Sequence, residues 1–317
     1  MQTFLRRLMF ALGFGLAVVA PAVAQEKVPA KAQAKATSRP ALPEGTTALA
    51  DLAYVTDGGP RRTLDLYVPK SDGPLPLIVW VHGGGWQGGS KQSPKALRFL
   101  TRGYAVASIN YRLSQMAPFP AQIQDCKAAV RYLRSIAKEN NIDPDRFGAW
   151  GESAGGHLVA LLGTCEETAF DEQPGGKRPS AHVQAVCDWY GPSDFATFLD
   201  GVAADRREQL LPLLEKLFDG PLEQKKELMR QGSPTAHVSK MAAPFLIVHG
   251  DKDPIVMLQQ SELLHAALGK VGVESTLHVV AGGGHGGPGF DSAETRGVIE
   301  QFFDKHLKKA VTANSQK

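Results

Sequence analysis

The chain has 317 residues, of which 43% are hydrophobic and 21% are charged, and its mean hydropathy is -0.17. This composition supplies enough apolar side chains for one large core, and it excludes a disordered chain, a multispan membrane protein and a small disulfide-stapled fold. The formal net charge is +3, but residues 1–40 hold six basic residues and one acidic residue, which leaves -2 for residues 41–317. No basic surface remains to attract phosphate backbones, so nucleic acid is excluded as a partner.

The amino terminus has the pattern of an export signal. Arg6 and Arg7 precede an apolar stretch over residues 8–20, and Ala22-Val23-Ala24 matches the small-residue motif at which such signals are cleaved. An uncleaved membrane anchor is the alternative, but the apolar stretch is shorter than the roughly 20 residues that span a bilayer. We therefore expect residues 1–24 to be a signal peptide, and the mature protein to be secreted or periplasmic without contact to a membrane.

The rest of the chain is organised as one domain between two polar ends. Residues 25–48 are rich in Ala, Lys, Pro and Gln, which is typical of a flexible linker. We expect the folded domain to span residues 49–310 and residues 311–317 to form a disordered tail. Within the domain, the long interval of about 195–239 between two strand patterns combines Leu-rich runs with many charges. This interval predicts one or two helices that form a small cap.

The predicted elements begin with a hairpin and then alternate between strands and helices. Asp57-Gly58-Gly59-Pro60 separates two short β patterns between Tyr54 and Val68, which predicts an antiparallel pair. Apolar runs predict six further strands, at residues 77–81, 105–109, 147–150, 183–188, 245–249 and 276–280. Apolar residues at helical spacing predict helices at residues 122–138, 257–271 and 293–307. The order indicates an α/β protein, with a mostly parallel central sheet, an antiparallel N-terminal edge and helices on both faces.

The motif Gly151-Glu152-Ser153-Ala154-Gly155 lies between a predicted strand and the apolar helical segment Leu158 to Leu162. In this context the two glycines permit a sharp turn that lifts the serine hydroxyl clear of the sheet, as in a nucleophile elbow. The spacing G-x-S-x-G alone arises by chance in roughly one chain in ten of this length. Its position between strand and helix therefore makes Ser153 the candidate nucleophile.

A second glycine run, His82-Gly83-Gly84-Gly85-Trp86, directly follows the predicted strand at residues 77–81. Consecutive glycines let backbone N–H groups converge on a bound oxygen without obstruction by side chains. The run therefore predicts an oxyanion hole. A phosphate-binding loop is one alternative, but no G-x-G-x-x-G opens a helix here and no Lys-Ser or Lys-Thr follows at P-loop spacing. A merely flexible loop is the other alternative.

A serine hydroxyl becomes a strong nucleophile only when a base, oriented by an acid, removes its proton. Among nine histidines, His285 lies in a glycine-rich loop between the last predicted strand and the last predicted helix, and it is the candidate base. Asp253, in a turn after a predicted strand, is the candidate acid, while Asp251 in the same turn and Asp291 are the alternatives. Four other histidines fit structural roles better: His82, His157, His249 and His278.

The three cysteines, Cys126, Cys165 and Cys187, lack the close spacing of a zinc site or of a C-x-x-C redox pair. Neither a metal nor an organic cofactor is implied. In an oxidising compartment, Cys165 and Cys187 are the expected disulfide pair because a long polar loop separates them.

Taken in order, these motifs resemble the α/β-hydrolase superfamily, and within it the HGGG-bearing esterase branch. The chain also shares Asn110-Tyr111-Arg112, Asp188-Trp189-Tyr190-Gly191-Pro192 and His249-Gly250-Asp251-Lys252-Asp253 with that branch, over roughly residues 54–307. It is similar to secreted bacterial esterases that remove feruloyl or acetyl groups from plant polysaccharides, and more distantly to hormone-sensitive-lipase-like esterases. One departure is Met257, where many relatives have proline.

The resemblance implies an oxyanion hole and a substrate pocket. The oxyanion would be held by backbone N–H groups of Ala154 and of the glycine loop, where Gly84, Gly85 and Trp86 are the candidates. The side chains expected to wall the substrate pocket are Trp86, Tyr111 and Trp189. For Trp189, filling of the core is the alternative.

These expectations together describe a secreted serine carboxylesterase that uses Ser153, His285 and Asp253 and needs no metal or cofactor. Its expected partner is a small-molecule or polysaccharide-linked ester carrying a feruloyl, acetyl or short acyl group. Amide or peptide cleavage on the same residues is the first alternative, although exopeptidases of this fold usually carry a propeller or a large cap that does not fit this length. A non-catalytic hydrolase-fold binding protein is the second alternative. The pattern specifies no oligomeric state.

Overall fold

The computed structural model describes residues 42–92, 94–172 and 178–308. The predicted signal peptide, most of the predicted linker and the predicted tail lie outside these residues. Eight strands occur in the described part of the chain. They are β1 (Thr47–Ala53), β2 (Thr63–Val68), β3 (Leu75–Val81), β4 (Ala105–Ile109), β5 (Ile142–Glu152), β6 (Ala185–Trp189), β7 (Phe245–Gly250) and β8 (Ser275–Val280).

The strands form one sheet in the order β1-β2-β4-β3-β5-β6-β7-β8. Strand β2 pairs antiparallel with β1 and with β4, whereas every pairing from β4 to β8 is parallel. This arrangement confirms the predicted fold class. The carboxyl ends of the parallel strands lie at one edge, where α/β sheets bind their ligands.

Helices cover both faces of the sheet, which explains why the parallel strands read as continuous apolar runs. The helices are α1 (Ala121–Ser135), α2 (Ala154–Thr164), α3 (Ala204–Leu217), α4 (Lys226–Gly232), α5 (Leu258–Lys270) and α6 (Ala293–Leu307). Side chains of α1, α2 and α5 pack against one face. The opposite face packs against α6 and against the 3₁₀ segment Lys95–Arg102.

Helices α3 and α4 occupy the interval in which a small cap is predicted. The apolar side of α3, including Leu210, Leu214 and Leu217, is buried with Phe195 and Phe218 in the same core as the sheet. Buried apolar side chains therefore hold this part of the chain on the domain.

The first strand lies earlier than the sequence predicts. β1 starts at Thr47, inside the predicted linker, and its side chains are exposed except for the half-buried Leu49 and Leu52. These two residues pair with Leu66 and Leu64, and the register shifts between them. Strands are recognised in a sequence by alternating apolar and polar residues, and an edge strand with little burial and an irregular register lacks this alternation. The recognisable strand pattern therefore begins only near Tyr54.

The predicted disulfide between Cys165 and Cys187 is wrong, because all three cysteines are free thiols. Cys187 faces the side of the sheet that packs on α6, whereas Cys165 follows α2 and packs on the other face. The sheet itself separates the two sulfur atoms. Burial raises the pKa of all three thiols, that of Cys165 to about 12, which keeps them in their unreactive protonated form.

The start of α2 packs closely against the end of β3. A Cβ atom on Gly155 would lie 2.1 Å from the carbonyl oxygen of Val81 and 2.6 Å from that of His82. Since both obstacles are backbone atoms, no side-chain rotation relieves the clash.

We therefore expect Gly155→Ala to lower the free energy of unfolding by about 3 kcal/mol, the upper part of the usual range for overpacking. The matched control is Gly297→Ala in α6, where nothing lies within 4 Å of the added Cβ. That variant should be up to about 1 kcal/mol more stable than the wild type, because alanine is the better helix former. Urea unfolding of the three proteins measures both effects, and equal stability of Gly155→Ala and wild type would contradict the packing described.

Candidate active site

Ser153 occupies the sharp turn between β5 and α2. Its backbone has φ 54° and ψ -121°, a conformation that non-glycine residues rarely adopt and that tends to occur at functional sites. Its N–H donates to the carbonyl of Trp189 at 2.8 Å. A Cβ atom on Gly151 would lie 2.3 Å from the carbonyl oxygen of Gly155. The two glycines of the motif are therefore a steric requirement of the turn that presents Ser153.

The three side chains singled out in the sequence lie in one hydrogen-bonded row. Nδ1 of His285 lies 2.7 Å from Oδ2 of Asp253, and Nε2 of His285 lies 2.9 Å from Oγ of Ser153. Ser153 follows β5, Asp253 follows β7 and His285 follows β8. Because these strands are parallel, their carboxyl ends meet at one edge of the sheet and bring together residues up to 132 positions apart.

The Asp253 carboxylate is buried and is held by four donors. Oδ1 accepts from the N–H groups of Ile255 and Val256, at 2.8 and 3.0 Å. Oδ2 accepts from His285 and lies 3.2 Å from Nε2 of His249. Burial by itself raises the pKa of Asp253, but the hydrogen bonds from His249 and His285 outweigh it and hold the pKa well below the usual range. The carboxylate therefore stays ionised.

The two rival acids lie elsewhere. Asp251 accepts from the N–H of Gly282 at 2.7 Å and so ties the turn after β7 to the loop that carries His285. The carboxylate of Asp291 lies 3.9 Å from Arg98. Of the three candidate acids, only Asp253 is hydrogen-bonded to His285.

Two fully or nearly buried histidines support the glycine loop without reaching Ser153. Nε2 of His157 donates to the carbonyl of Gly232 at 2.7 Å, while its Nδ1 accepts from the indole of Trp86 at 3.1 Å. Nδ1 of His82 bonds the carbonyl of Gly83 at 2.7 Å. Burial lowers the pKa of His82 and of His157 to about 4, so both are neutral near pH 7.

The glycine loop lies directly beside Ser153. A Cβ on Gly83 would lie 3.3 Å from the Cβ of Ser153. Gly84, Gly85 and Trp86 have φ values of 111°, 57° and 56°, and successive residues in such conformations can turn their N–H groups toward an anion. Within the described part of the chain, no carbonyl or side chain accepts from these three N–H groups.

Ala154 completes the set of candidate oxyanion donors. It is the first residue of α2, so its N–H has no partner within the helix and lies at the positive end of the helix dipole. In the described residues no other acceptor binds it either. The four N–H groups predicted for an oxyanion hole therefore remain available around Ser153.

The prediction that Trp86, Tyr111 and Trp189 wall the substrate pocket is wrong. Tyr111 and Trp189 are 0% exposed and Trp86 is 2% exposed, so none of the rings offers a surface to a ligand. Tyr111 stacks on His82 and donates to its carbonyl, and the Trp86 indole donates to His157. Trp189 fills the core on the face that packs on α6, as the alternative held. Large aromatic rings contribute most to stability when they are buried in the core, and these three rings pack below the surface of the site.

Tyr190 is a site residue that the sequence analysis missed. Its ring centre lies 4.6 Å from that of His285, and its hydroxyl donates to Oε2 of Glu152 at 3.2 Å. Its backbone has φ 44°, an outlier for so bulky a residue. The motif at residues 188–192 marked the segment, but nothing in the pattern showed that the ring packs against the imidazole.

The cap covers the glycine loop on one side. A Cβ on Gly85 would lie 2.6 Å from Cδ1 of Leu213 in α3, and the rings of Phe195 and Trp86 are in contact, with centres 5.8 Å apart. Apolar side chains thus approach the loop from the side of the cap.

Comparison with known proteins places the sequence in a family. The sequence model of the BD-FAE family matches residues 64–268. The chain belongs to the BD-FAE family. The match includes both glycine motifs, Ser153 and Asp253, and it ends before His285.

The chain is similar to esterases among characterised proteins. It is 31% identical to esterase LipQ of Mycobacterium tuberculosis over 252 residues, which cover 75% of this chain and 56% of that protein. The chain spans about half the length of the curated relatives it matches.

Two solved structures are similar to this chain in fold. A truncated form of a carbohydrate esterase from gut microbiota matches with a TM-score of 0.75 and 32% identity, over 84% of this chain and 99% of that one. The acetyl ester-xyloside bifunctional hydrolase of Caldicellulosiruptor lactoaceticus matches with a TM-score of 0.65 and 28% identity, over 77% and 87% of the two chains. The α/β-hydrolase fold expected from the sequence is therefore shared with both.

Proposed function

We propose that this protein is a serine carboxylesterase that hydrolyses carboxylic esters through an acyl-enzyme on Ser153. The observation that carries the proposal is the continuous hydrogen-bonded row from Asp253 through His285 to Ser153. The membership of the BD-FAE family and the similarity to esterase LipQ support the same reaction.

In the proposed mechanism, Oγ of Ser153 attacks the carbonyl carbon of the ester while Nε2 of His285 takes the hydroxyl proton. The ionised carboxylate of Asp253 holds the imidazole in place and stabilises its positive charge. The tetrahedral oxyanion is bound by N–H groups of Ala154 and of the glycine loop. His285 then gives its proton to the departing alcohol, and a water molecule repeats the sequence on the acyl-enzyme to release the acid.

We propose acetyl, feruloyl or other short acyl esters on plant polysaccharides as the substrates. The carbohydrate esterase and the acetyl ester-xyloside hydrolase to which the chain is similar support this class. Small soluble esters with the same acyl groups would use the same chemistry.

Replacement of Ser153 by alanine tests the reaction. We expect Ser153→Ala to lower kcat for a short p-nitrophenyl ester by about 10⁴- to 10⁶-fold, as removal of a nucleophile does in other serine hydrolases. A fluorophosphonate probe should label the wild type once per chain and leave the variant unlabelled. Turnover of the folded variant near that of wild type would end the proposal.

The two aspartates of one turn provide a matched pair. We expect Asp253→Asn to lower kcat by about 10⁴-fold, because an amide neither holds the correct tautomer of His285 nor stabilises its charge. Asp251→Asn keeps an oxygen for the N–H of Gly282 and should stay within a few-fold of wild type. Steady-state kinetics on both variants decides which carboxylate acts, and a larger loss in Asp251→Asn would reverse the assignment.

The pH profile tests the roles of base and acid. His285 must be neutral to accept a proton, so log(kcat/KM) should fall with a slope of one as the pH is lowered. The depressed pKa of Asp253 keeps its carboxylate ionised over this limb, and a slope of two would contradict that.

The same titration requires a check on folding. An imidazole whose pKa is lower in the folded than in the unfolded chain binds fewer protons when folded. The free energy of unfolding therefore decreases as the pH is lowered. For His82 and His157 this loss runs from pH 6.5 down to about 4. Thermal unfolding at each pH separates loss of fold from protonation of His285.

We also propose that residues 1–24 direct export of the protein. Arg6 and Arg7, the apolar stretch at residues 8–20 and the Ala22-Val23-Ala24 motif support this. Among the residues that the structure describes, no helix has both the length and the hydropathy to cross a bilayer. The intact mass of the exported chain tests the proposal, since cleavage after Ala24 leaves Gln25 as the first residue, and an exported chain that retains residues 1–24 would contradict it.

A further inference from the structure

A polar pocket of about 350 Å³ adjoins the glycine loop. Gly83, Gly84, Ser90, Lys95 and Glu152 are among its lining residues, and none of the lining residues belongs to the cap. The volume is at the lower end of the range for small-molecule sites, roughly 300–1,000 Å³. The proposed mechanism makes no use of the side chains of Ser90, Lys95 and Glu152 in this pocket.

The pocket shares Gly83 and Glu152 with the immediate surroundings of Ser153. Glu152 immediately precedes Ser153, and a Cβ on Gly83 would lie 3.3 Å from Cγ of Glu152 and 3.3 Å from Cβ of Ser153. The side chains of Glu152 and Ser153 therefore both lie against Gly83 of the glycine loop.

The charged pair in the pocket keeps hydrogen-bonding capacity. Nζ of Lys95 lies 3.2 Å from Oε2 of Glu152, and the two side chains are 33% and 26% exposed. Oε2 also accepts from the hydroxyl of Tyr190. Oε1 of Glu152 has no donor among the residues that the structure describes. The carboxylate is therefore held at Oε2. Oε1 of Glu152 can accept a hydrogen bond from a ligand, and the ammonium group of Lys95 can donate one.

The two sides of the glycine loop differ in polarity. Leu213 brings an apolar side chain toward the loop from the cap, whereas Lys95 and Glu152 bring charges from the other elements. An ester likewise has two halves, an acyl group and an alcohol, that leave the carbonyl carbon in different directions.

We infer that the pocket beside Glu152 and Lys95 binds the alcohol half of the ester, and that this alcohol is polyhydroxylated. The inference rests on the proposed esterase function. Neighbouring hydroxyl groups can donate to the Glu152 carboxylate and accept from the Lys95 ammonium at once, and hydrogen bonds to charged groups are the strong ones. An alkyl or aryl alcohol would cover the pair without replacing its bonds to water, and sites built for hydroxyl groups reject such analogues.

Three acetate esters that differ only in their alcohol test the inference. They are p-nitrophenyl acetate, a monoacetylated methyl xyloside and glycerol monoacetate. The measured quantity is the ratio of kcat/KM for each polyol ester to kcat/KM for the aryl ester. The variants are Lys95→Met, which keeps the length of the side chain, and Glu152→Gln, which keeps an oxygen for Tyr190. Lys270→Met, at an exposed position at the end of α5, is the matched control.

We expect Lys95→Met and Glu152→Gln each to lower the ratio about tenfold or more, the loss typical of a hydrogen bond to a charged group. Lys270→Met should leave the ratio unchanged. A loss confined to the xyloside ester identifies a sugar ring as the alcohol, a loss confined to the glycerol ester identifies glycerol, and a loss for both supports polyols in general. Thermal unfolding confirms that each variant is folded.

The failure of this inference differs from the failure of the proposed function. If wild type hydrolyses p-nitrophenyl acetate but folded Lys95→Met keeps the wild-type ratio for both polyol esters, the alcohol site is overturned and the esterase stands. If pure wild type hydrolyses none of the three esters, the esterase proposal itself falls.

Discussion

The contact between backbone atoms at the end of β3 and the start of α2 is the constraint on which the site depends. Gly155 approaches the carbonyl of Val81 so closely that even a methyl group would not fit, and Gly151 approaches Gly155 in the same way. This packing forces the intervening residue, Ser153, into φ 54°. The strain is tolerated because β5 is paired on both sides and α2 is buried along its whole length. The serine therefore needs no adjustment to face the imidazole.

The histidines in and around the site have different environments, and these environments determine their charge. His285 is partly exposed and bonded to an ionised carboxylate, so a positive charge on its ring is compensated. His82 and His157 are buried among aromatic rings and carbonyl groups, with a pKa of about 4, and act as neutral connectors. The same imidazole group is thus partly exposed and paired with a carboxylate in one place and is a buried hydrogen-bonding link in two others, as its surroundings dictate.

Burial on both faces made the parallel strands predictable, since strands such as β3 are buried throughout and almost entirely apolar. The glycine motifs located Ser153 and the loop, because glycine at these positions has a steric cause that the pattern itself records. Strand β1 was misplaced because it buries little. Trp86, Tyr111 and Trp189 were wrongly assigned to the substrate pocket, because the sequence of a motif does not show whether an aromatic ring faces a ligand or the core. Cys165 and Cys187 misled because sequence does not reveal on which face of a sheet a residue lies.

Tyr190 shows the other limit of sequence reasoning. Its importance lies in a contact with His285, 95 positions further along the chain, and in a backbone conformation that no propensity predicts. Glu152 was read only as the variable position of its motif, although its carboxylate joins Tyr190 to Lys95. Residues whose role is to contact a neighbour become visible only when the strand order is known.

The two hydrogen bonds of His157 link parts of the molecule that move separately in many enzymes. One ring nitrogen accepts from Trp86 of the glycine loop, and the other donates to Gly232 at the end of α4. Lifting the cap would leave that donor without an acceptor in a dry interior, at a cost of about 1–3 kcal/mol. Displacement of α4 is therefore coupled, through the ring of His157, to the indole of Trp86 at the end of the glycine loop.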